Sequence, residues 1–221
     1  MGLRERKKLR TRRTIERTAL QLFAKHGFHA TTLAQIADAA EVAPSTLHAY
    51  FPSKEDILFA TFDAARDSAR RRLVGRPADE SVVTALQAWL LEDLPEITGG
   101  DVTLVQQRRA VIDSDDAVLA QERLRLALLE DVLAEAFARD LNESSDDLRA
   151  RLMAAVAVNG LRAIWFWWYR HQQDGAGDPR DVYDLDATYL TSLLEAAERA
   201  IEAIPSPDEH FRQRGARPGA G

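Results

Sequence analysis

Glycine, proline and clusters of polar residues divide this sequence into segments of helix length. Within these segments, apolar residues recur at the three- and four-residue spacing of a helix face, as in Ile15, Ala19, Leu22 and Phe23. A half-buried strand would instead alternate polar and apolar residues, and few such runs occur. The sequence therefore predicts an all-α fold.

Composition narrows the class of protein. Of the 221 residues, 46% are hydrophobic, which is enough to build a core. The absence of cysteine excludes disulfides, thiolate zinc sites and cysteine nucleophiles. No apolar segment follows the basic start, and the most apolar stretch, Met153–Tyr169, is interrupted by Asn159 and Arg162 and is too short to span a bilayer. We expect a soluble cytoplasmic protein without a membrane partner.

Charge is distributed unevenly along the chain. Residues 1–60 carry ten Lys or Arg against six Asp or Glu, whereas the other 161 residues carry 19 against 29. A basic first segment on an acidic body is typical of a protein whose first segment meets a polyanion such as nucleic acid. A solvated basic tail gives the same counts, so charge alone leaves both interpretations open.

Local signals predict four helices in the basic segment. Gly27 is placed to end the first helix as a left-handed cap, and Thr32 with Gln35 has capping-box spacing at the start of the second. Pro44 suits the first turn of the third helix, and Ser53 marks the start of the fourth. The expected helices are about Thr11–His26, Leu33–Val42, Ser45–Phe51 and a fourth that runs from Ser53 to the exposed Arg70–Arg72.

The second and third helices, joined tightly at Val42–Pro44, have the pattern of a helix-turn-helix. In that motif the second helix enters the major groove of DNA, and its exposed polar side chains reach bases and phosphates. Leu47 and Phe51 lie one turn apart and can anchor this helix, which also carries the hydrogen-bonding residues Ser45, Thr46, His48 and Tyr50. The spacing fits a plain surface hairpin of two helices equally well.

Five longer helices are expected after a break at Gly75–Pro77. Proline, glycine and clustered polar residues separate them. The residues after Pro205 are rich in proline, glycine and charge, which predicts a disordered tail. The expected helices are about Ser81–Leu94, Val102–Ile112, Asp116–Arg139, Asp146–His171 and Asp184–Ile204.

The stretch Thr11–Asp63 resembles the TetR family of bacterial transcriptional regulators. A helix ends in Phe-Ala-x-x-Gly-Phe, two threonines precede the next, Ile-Ala-x-x-Ala-x-Val leads to the turn, and Tyr-Phe-x-Ser-Lys-Glu joins the third helix to the fourth. The remaining chain matches the family only in length and helical pattern. The resemblance implies a helix-turn-helix DNA-binding domain over 1–60, a ligand-binding and dimerisation domain over 61–205 and a tail over 206–221. The implied function is that of a dimeric regulator, commonly a repressor, which binds a palindromic operator and is released by a small molecule.

Family roles carry over to particular residues of this sequence. The resemblance implies base or backbone contacts from Ser45, Thr46, His48 and Tyr50, and phosphate contacts from Thr31, Thr32 and Lys54. The cluster Arg4–Arg13, which includes Arg10, Arg12 and Arg13, resembles an arm that follows the DNA backbone or enters the minor groove; a tail needed only for solubility is the alternative. One departure is Ala43, which stands where the family commonly has a Ser or Thr cap, at a cost of roughly 1 kcal/mol in helix stability.

An effector cavity is expected in the second domain, between the helix of Trp89, the Val102–Ile112 helix and the helices that carry Phe137 and Trp165. Apolar and aromatic walls suit a hydrophobic or amphipathic molecule. The opening residues Gly2–Lys8 also resemble a TetR subgroup associated with acyl-CoA-like ligands. Alternatively, the arginines form ion pairs and the cavity is small. The residues proposed to fix a polar end are Arg108, Arg109, Asn159 and Arg162, and Trp165 and Trp168 are expected in the pocket or the core.

The segment Leu161–Tyr169 is apolar and aromatic on every face of its helix. Such a helix has to be buried on every face, which a dimer interface achieves for an outer helix. The family resemblance supplies the geometry, a four-helix bundle from the last two long helices of each subunit. The rival interpretation assigns the same stripe to the core of one subunit.

Catalysis and metal binding find no support in the sequence. The chain has no glycine-rich phosphate loop, no HExxH motif and no GxSxG motif, so we expect no enzyme activity and no cofactor. His26 and His29 are three residues apart, but Gly27 separates them and no carboxylate lies close by in the sequence, so we expect no metal site. The start of a predicted helix explains the acidic cluster nearby, because acids interact favourably with the helix dipole there. The cluster consists of Asp113, Asp115 and Asp116.

Overall fold

The structure is a computed structural model that describes residues 2–98, 102–171 and 181–202. The described residues form helices and turns without a β-strand, which confirms the predicted all-α fold. No helix within these ranges is long and apolar enough to cross a bilayer. The predicted tail over 206–221 lies outside the described residues.

The first four helices end and begin at local caps. Thr32 and Gln35 close a capping box at the start of the second helix, and Ser53 with Asp56 closes another at the start of the fourth. Gly27 ends the first helix at a φ of 88°, which glycine adopts without strain. The helices are α1 (Leu3–His26), α2 (Leu33–Ala39), α3 (Pro44–Tyr50) and α4 (Lys54–Leu58).

Helix α1 begins eight residues before the predicted start at Thr11. All residues of the Arg4–Arg13 cluster are therefore helical, and the predicted contact of this cluster with DNA stays a prediction. The physical reason is local. Leucine, arginine, lysine and glutamate, which fill this segment, are strong helix formers, and nothing after Gly2 breaks the helix.

The later helices differ from the prediction by containing wider π turns. The single helices expected over 54–72, 81–94 and 184–204 are each divided, with π turns at Arg70–Val74, Trp89–Asp93 and Asp186–Leu190. A π turn inserts a residue into the helical register, which a repeat of 3.6 residues cannot reveal. The helices are α5 (Ala60–Ala69), α6 (Val82–Ala88), α7 (Leu94–Thr98), α8 (Val102–Asp113), α9 (Asp116–Leu141), α10 (Leu148–His171), α11 (Asp181–Leu185) and α12 (Thr191–Glu202).

The chain forms two compact units that are not consecutive in sequence. The N-terminal unit comprises residues 1–64 and 98–125, and the C-terminal unit comprises 65–97 and 126–221. The predicted division near residue 60 thus agrees with the first crossing, but helix α8 and the start of α9 return to the N-terminal unit, where Val111, Ile112 and Val118 complete its core. That core otherwise consists of buried residues from α1 to α5, chiefly Ile15, Leu20, Phe23, Ile36, Leu47, Phe51, Ile57, Leu58 and Phe59.

One glycine in the C-terminal unit permits a close approach. A Cβ atom at Gly160 of α10 would lie 2.6 Å from Cδ1 of Leu190, at the end of the last π turn. Leu190 is itself buried. The absence of a side chain at 160 therefore lets this leucine pack against the backbone of α10.

Candidate DNA interface

The turn between α2 and α3 is built from backbone hydrogen bonds. Glu41 lies in the left-handed region at a φ of 54°, and the Val42 N–H donates to the Ala37 carbonyl at 3.0 Å. This arrangement is a Schellman motif, which ends α2 and turns the chain toward α3. Helix α3 begins at Pro44, and Ala43 before it forms no side-chain cap, as the departure from the family pattern predicted.

Helix α3 is anchored on one side and open on the other. Leu47 and Phe51 are each 1% exposed in the core, which confirms their predicted anchoring role. The polar candidates lie outside the core, with Ser45, Thr46 and His48 exposed and Tyr50 half-buried. A short helix with this division presents three hydrogen-bonding side chains to a partner at once.

The two threonines before α2 have different environments. Thr32 is exposed, and its hydroxyl belongs to the capping box. Thr31 is 2% exposed, and its hydroxyl donates to the Gly27 carbonyl at 2.8 Å. The Thr31 hydroxyl thus satisfies a carbonyl at the end of α1, and its phosphate contact stays a prediction.

Lys54 also points inward. Its Nζ donates to the carbonyl oxygens of Phe28 at 2.7 Å and of His29 and Thr31 at 3.2 Å, and it lies 4.6 Å from the centre of the Phe28 ring. An ammonium group has three donors, and three carbonyls occupy them. This side chain thus holds the loop between α1 and α2, and its predicted phosphate contact stays a prediction.

The arginines of α1 divide into outward and inward groups. Arg10 and Arg13 are exposed on the helical extension. Arg12 is half-buried, pairs with Glu16 at 3.2 Å, and lies 4.6 Å from the centre of the Phe51 ring. The structure therefore leaves Arg10 and Arg13 open to DNA, whereas the Arg12 guanidinium braces α1 against the end of α3.

Two of the residues predicted to hold an effector lie in the N-terminal unit instead. Arg108 is 7% exposed on α8, and its charge acts on Glu16 of α1. Burial raises the pKa of Glu16, and the charge of Arg108 opposes this shift. Arg109 pairs with Asp113 and, at 2.7 Å, with Glu122. Both arginines therefore act within the N-terminal unit, Arg109 through ion pairs and Arg108 through its charge on Glu16, and their role toward an effector stays a prediction.

A contact that the sequence did not suggest holds the loop after α1. His29 Nε2 lies 2.6 Å from Asp115 Oδ2. Asp115 also caps α9 by accepting from the N–H groups of Ala117 and Val118, and these bonds lower the pKa of its carboxyl. No local pattern reveals this contact, because the two residues are 86 positions apart in the chain.

The remaining effector candidates belong to the C-terminal unit. Trp89, Phe137 and Trp168 are each 2% exposed, and Trp165 is half-buried. The Trp89 indole donates to Ser68 Oγ at 3.3 Å. The two predicted polar anchors on α10, Asn159 and Arg162, are exposed. The structure thus places the four aromatic candidates inside this unit but leaves both of these polar groups at its surface.

Asp186 is an unusual polar residue of the C-terminal unit that no sequence pattern predicts. It is 0% exposed, and neither carboxylate oxygen has a hydrogen-bond partner among the described residues. Burial raises the pKa of this carboxyl well above its usual value. No local pattern marks it, because its burial depends on a π turn and on packing against α10.

The C-terminal unit also exposes large apolar side chains. Phe166 and Trp167 of α10 are 46% and 53% exposed, and Tyr189 and Leu193 are 64% and 51% exposed. These four residues lie on the last two long helical segments, where a dimer bundle is predicted. Leu194, in contrast, is fully buried within its own subunit.

The basic segment and its helix-turn-helix, with three polar side chains exposed on an anchored second helix, define a DNA-binding protein. Residues 15–61 match the family model of bacterial regulatory proteins of the tetR family, and residues 80–202 match that of the MftR C-terminal domain. The chain is 33% identical over 222 residues to the HTH-type transcriptional regulator TcmR of Streptomyces glaucescens, a match that covers 97% of this chain and 92% of that protein. This protein belongs to the TetR family of transcriptional regulators.

Further relatives agree with this assignment. The fatty acid metabolism regulator protein of Bacillus subtilis is 23% identical over 153 residues, which cover 66% of this chain and 79% of that protein. Two solved structures share the fold, namely a TetR-family regulator from Mesorhizobium loti (17% identity, TM-score 0.53, 87% of this chain and 96% of that one) and the SmeT–triclosan complex (18%, 0.54, 85% and 90%). The family consists of DNA-binding transcription regulators, not enzymes, as the sequence predicted.

Proposed function

We propose that this protein is a cytoplasmic, ligand-responsive repressor that binds a near-palindromic operator as a homodimer and is released by a small hydrophobic or amphipathic effector. One observation carries the DNA-binding part of the proposal. Ser45, Thr46 and His48 are exposed on a helix that Leu47 and Phe51 fix in the core. Rigid support from the core orients such side chains toward base edges.

We assign the DNA contacts in two groups. Ser45, Thr46, His48 and Tyr50 contact bases or the nearby backbone, and Thr32, Arg10 and Arg13 contact phosphates. Phosphate contacts set the position of the protein, whereas base contacts supply its sequence preference. Thr31, Lys54 and Arg12 support these groups from within the fold.

A homodimer follows from the exposed aromatic surface of the C-terminal unit. Phe166, Trp167, Tyr189 and Leu193 offer an apolar surface that a second copy would bury. Two recognition helices related by a two-fold axis would meet major-groove segments about one helical turn or somewhat more apart. The operator is accordingly expected to be a near-palindrome.

The effector is assigned to the C-terminal unit, among Trp89, Phe137, Trp165 and Trp168. Their apolar surfaces suit a hydrophobic body. Release requires that the ligand bind the DNA-incompetent arrangement more tightly than the competent one. A fatty-acyl effector is one candidate of this class, and the name of the Bacillus subtilis relative supports including acyl-CoAs in the test.

Selection of bound sequences from random duplex DNA tests this function. We expect recovery of a near-palindrome, binding that weakens steeply with salt, and release of the complex by a hydrophobic compound. Acyl-CoAs and neutral aromatic compounds are titrated against the preformed complex, with tryptophan fluorescence as a second probe. If no preferred sequence is recovered at low salt, the function is contradicted. If only acyl-CoAs fail to release the complex or change the fluorescence, only that effector is excluded.

Two substitutions test the division of DNA contacts. Tyr50→Ala is expected to reduce the discrimination between operator and random DNA by about tenfold, the usual worth of a base contact. Arg13→Ala is expected to weaken binding to operator and to random DNA about equally. It is also expected to lower the dependence of log affinity on log salt concentration (the salt slope) by about one unit. Filter binding at several salt concentrations measures both effects. Equal loss of discrimination in the two variants contradicts the assignment.

A further inference from the structure

Asp186 lies in a setting that a carboxyl group rarely occupies. It is 0% exposed at the start of the last π turn, and both of its oxygens lack a hydrogen-bond partner among the described residues. A buried acceptor without a donor costs about 1 to 3 kcal/mol, so natural proteins usually pair such groups. π turns inside helices also occur frequently at functional sites. The unpaired carboxyl therefore points to a ligand.

Aromatic rings surround this part of the C-terminal unit. The Trp165 ring lies 5.5 Å from the Tyr183 ring and 6.2 Å from the Trp168 ring, both edge to face. Tyr183 precedes Asp186 by three residues, about one helical turn, and hydrogen bonding by the Trp165 indole partly offsets the effect of burial on the pKa of Asp186. We call these four residues the Asp186 cluster. Three large rings at one carboxyl combine an apolar surface with an acidic group.

The chemistry of the Asp186 cluster favours a cation as its ligand. A protonated amine donates hydrogen bonds to a carboxylate, and its charge compensates that of the acid. The faces of tryptophan and tyrosine attract the same cation. An anionic headgroup would instead face an acid. Of the four arginines on α10, Arg162 and Arg170 are exposed, and Arg149 and Arg151 pair with acids.

We propose that the Asp186 cluster recognises the amino group of a hydrophobic amine, which is the effector of this regulator. The proposal rests on the proposed function and assigns the class of its ligand. Trp165 is half-buried, whereas Asp186 and Trp168 are buried, so rotation of the Trp165 side chain opens the route by which the amine reaches the acid. The apolar body of the ligand lies against the tryptophan rings.

The experiment compares two probes that differ only in their polar end. Dodecylamine and dodecanol are titrated into the full-length protein below their aggregation limits, with tryptophan fluorescence as the readout. The amine is expected to bind about tenfold or more tightly than the alcohol, because only the amine forms a charged pair with the acid. Equal affinities of the wild-type protein for the two probes overturn the proposal without any variant.

A matched pair of variants locates the effect. Asp186→Asn is expected to lose about tenfold or more in affinity for dodecylamine while its affinity for dodecanol is unchanged. Asp184→Asn, two residues away and exposed, is the control and is expected to bind both probes as the wild type does. Preserved amine affinity in Asp186→Asn, or equal losses in both variants, contradicts the site.

Binding to a selected operator separates this proposal from the function on which it rests. If the protein binds its operator but dodecylamine neither binds nor releases it, the amine site is wrong and the regulator stands. If no preferred DNA sequence is found, the proposed function fails, and the fluorescence titration still decides whether the Asp186 cluster binds amines. Release of the operator by dodecylamine in the wild type but not in Asp186→Asn supports both.

Discussion

The helix-turn-helix segment and the C-terminal unit differ in how far each satisfies its own polar and apolar groups. In the described residues of 2–64, no buried side-chain polar atom lacks a hydrogen-bond partner. The C-terminal unit holds unpaired polar atoms on Asp186 and Trp168 and exposes Phe166, Trp167 and Leu193. The first region satisfies its own buried polar side chains, and Val111, Ile112 and Val118 complete its core. The second carries surfaces and groups that a further copy and a ligand would complete.

The largest effect is expected from a substitution that prevents a second copy from binding to the C-terminal unit. Leu193→Glu places a charge in the exposed aromatic surface and is expected to give monomers, which bind the operator about 100-fold or more weakly because the two heads no longer act together. Sedimentation at low concentration and operator binding measure this. Leu124→Glu, at a leucine of the N-terminal unit that is 57% exposed, is the control. A dimeric Leu193→Glu variant contradicts the interface.

The buried neighbour of Leu193 gives a different result. Leu194 is next to it in the chain but is fully buried in its own subunit. A charge there is expected to unfold the C-terminal unit rather than to separate folded subunits, so Leu193 is the informative position.

The stability of the N-terminal region depends on the hydrogen bonds that Lys54 donates. Lys54→Ala leaves three carbonyls without their donor and is expected to lower the free energy of unfolding by about 2 kcal/mol, as loss of bonds to a charged group does. Urea unfolding followed by circular dichroism measures the change. Lys25→Ala, at an exposed lysine of α1, is expected to change stability little. An unchanged stability with a reduced salt slope would instead restore the phosphate role.

The pH dependence of stability tests the unpaired carboxyl group of Asp186. Burial raises the pKa of Asp186, so the folded protein holds this proton more tightly than the unfolded chain does. Stability therefore falls as pH rises from the unfolded pKa, about 4, toward the raised folded value. Asp186→Asn removes this loss, and its stability advantage over wild type is expected to grow with pH in thermal unfolding. A difference that is constant with pH, or that shrinks, contradicts the raised pKa.

The smallest effect is expected from residues with a left-handed backbone at the ends of two helices, one in each unit. Glu41 and Asn142 both adopt left-handed φ values, 54° and 53°, at the ends of α2 and α9. Glu41→Gly is expected to stabilise the protein by about 1 kcal/mol because it relieves the strain of a Cβ atom there. Asn142→Gly is expected to gain less, since asparagine tolerates this conformation. Urea unfolding checks both, and an equal gain at the two sites contradicts the argument.

Local signals explain how much of the fold was predicted. The capping boxes at Thr32 and Ser53 and the cap at Gly27 use neighbouring residues, so the sequence reveals them directly. The inward bonds of Thr31 and Lys54 were missed because the resemblance identifies positions, not side-chain directions. Lys54 reaches carbonyls as far as 26 residues back in the chain, which no local pattern encodes.

The C-terminal unit was predicted less well for a related reason. Its helices and aromatic residues follow from periodicity, but the π turns change which residues face inward after they occur. Asp186 looks like any acid in a helix, and Arg108 and Arg109 look like polar anchors of a cavity. Only the packing of α8 in the N-terminal unit brings Arg109 to its ion pairs and Arg108 within reach of the Glu16 charge.

The close approach of Leu190 to Gly160 has an evolutionary consequence. A side chain at position 160 would meet Leu190 at 2.6 Å, so the two positions are not free to vary independently. Among descendants of this protein that keep the same packing, alanine at 160 is expected to occur together with a smaller residue at 190. Alanine at 160 alone requires the buried Leu190 side chain to shift, and that step is expected to be disfavoured until a smaller residue at 190 makes room.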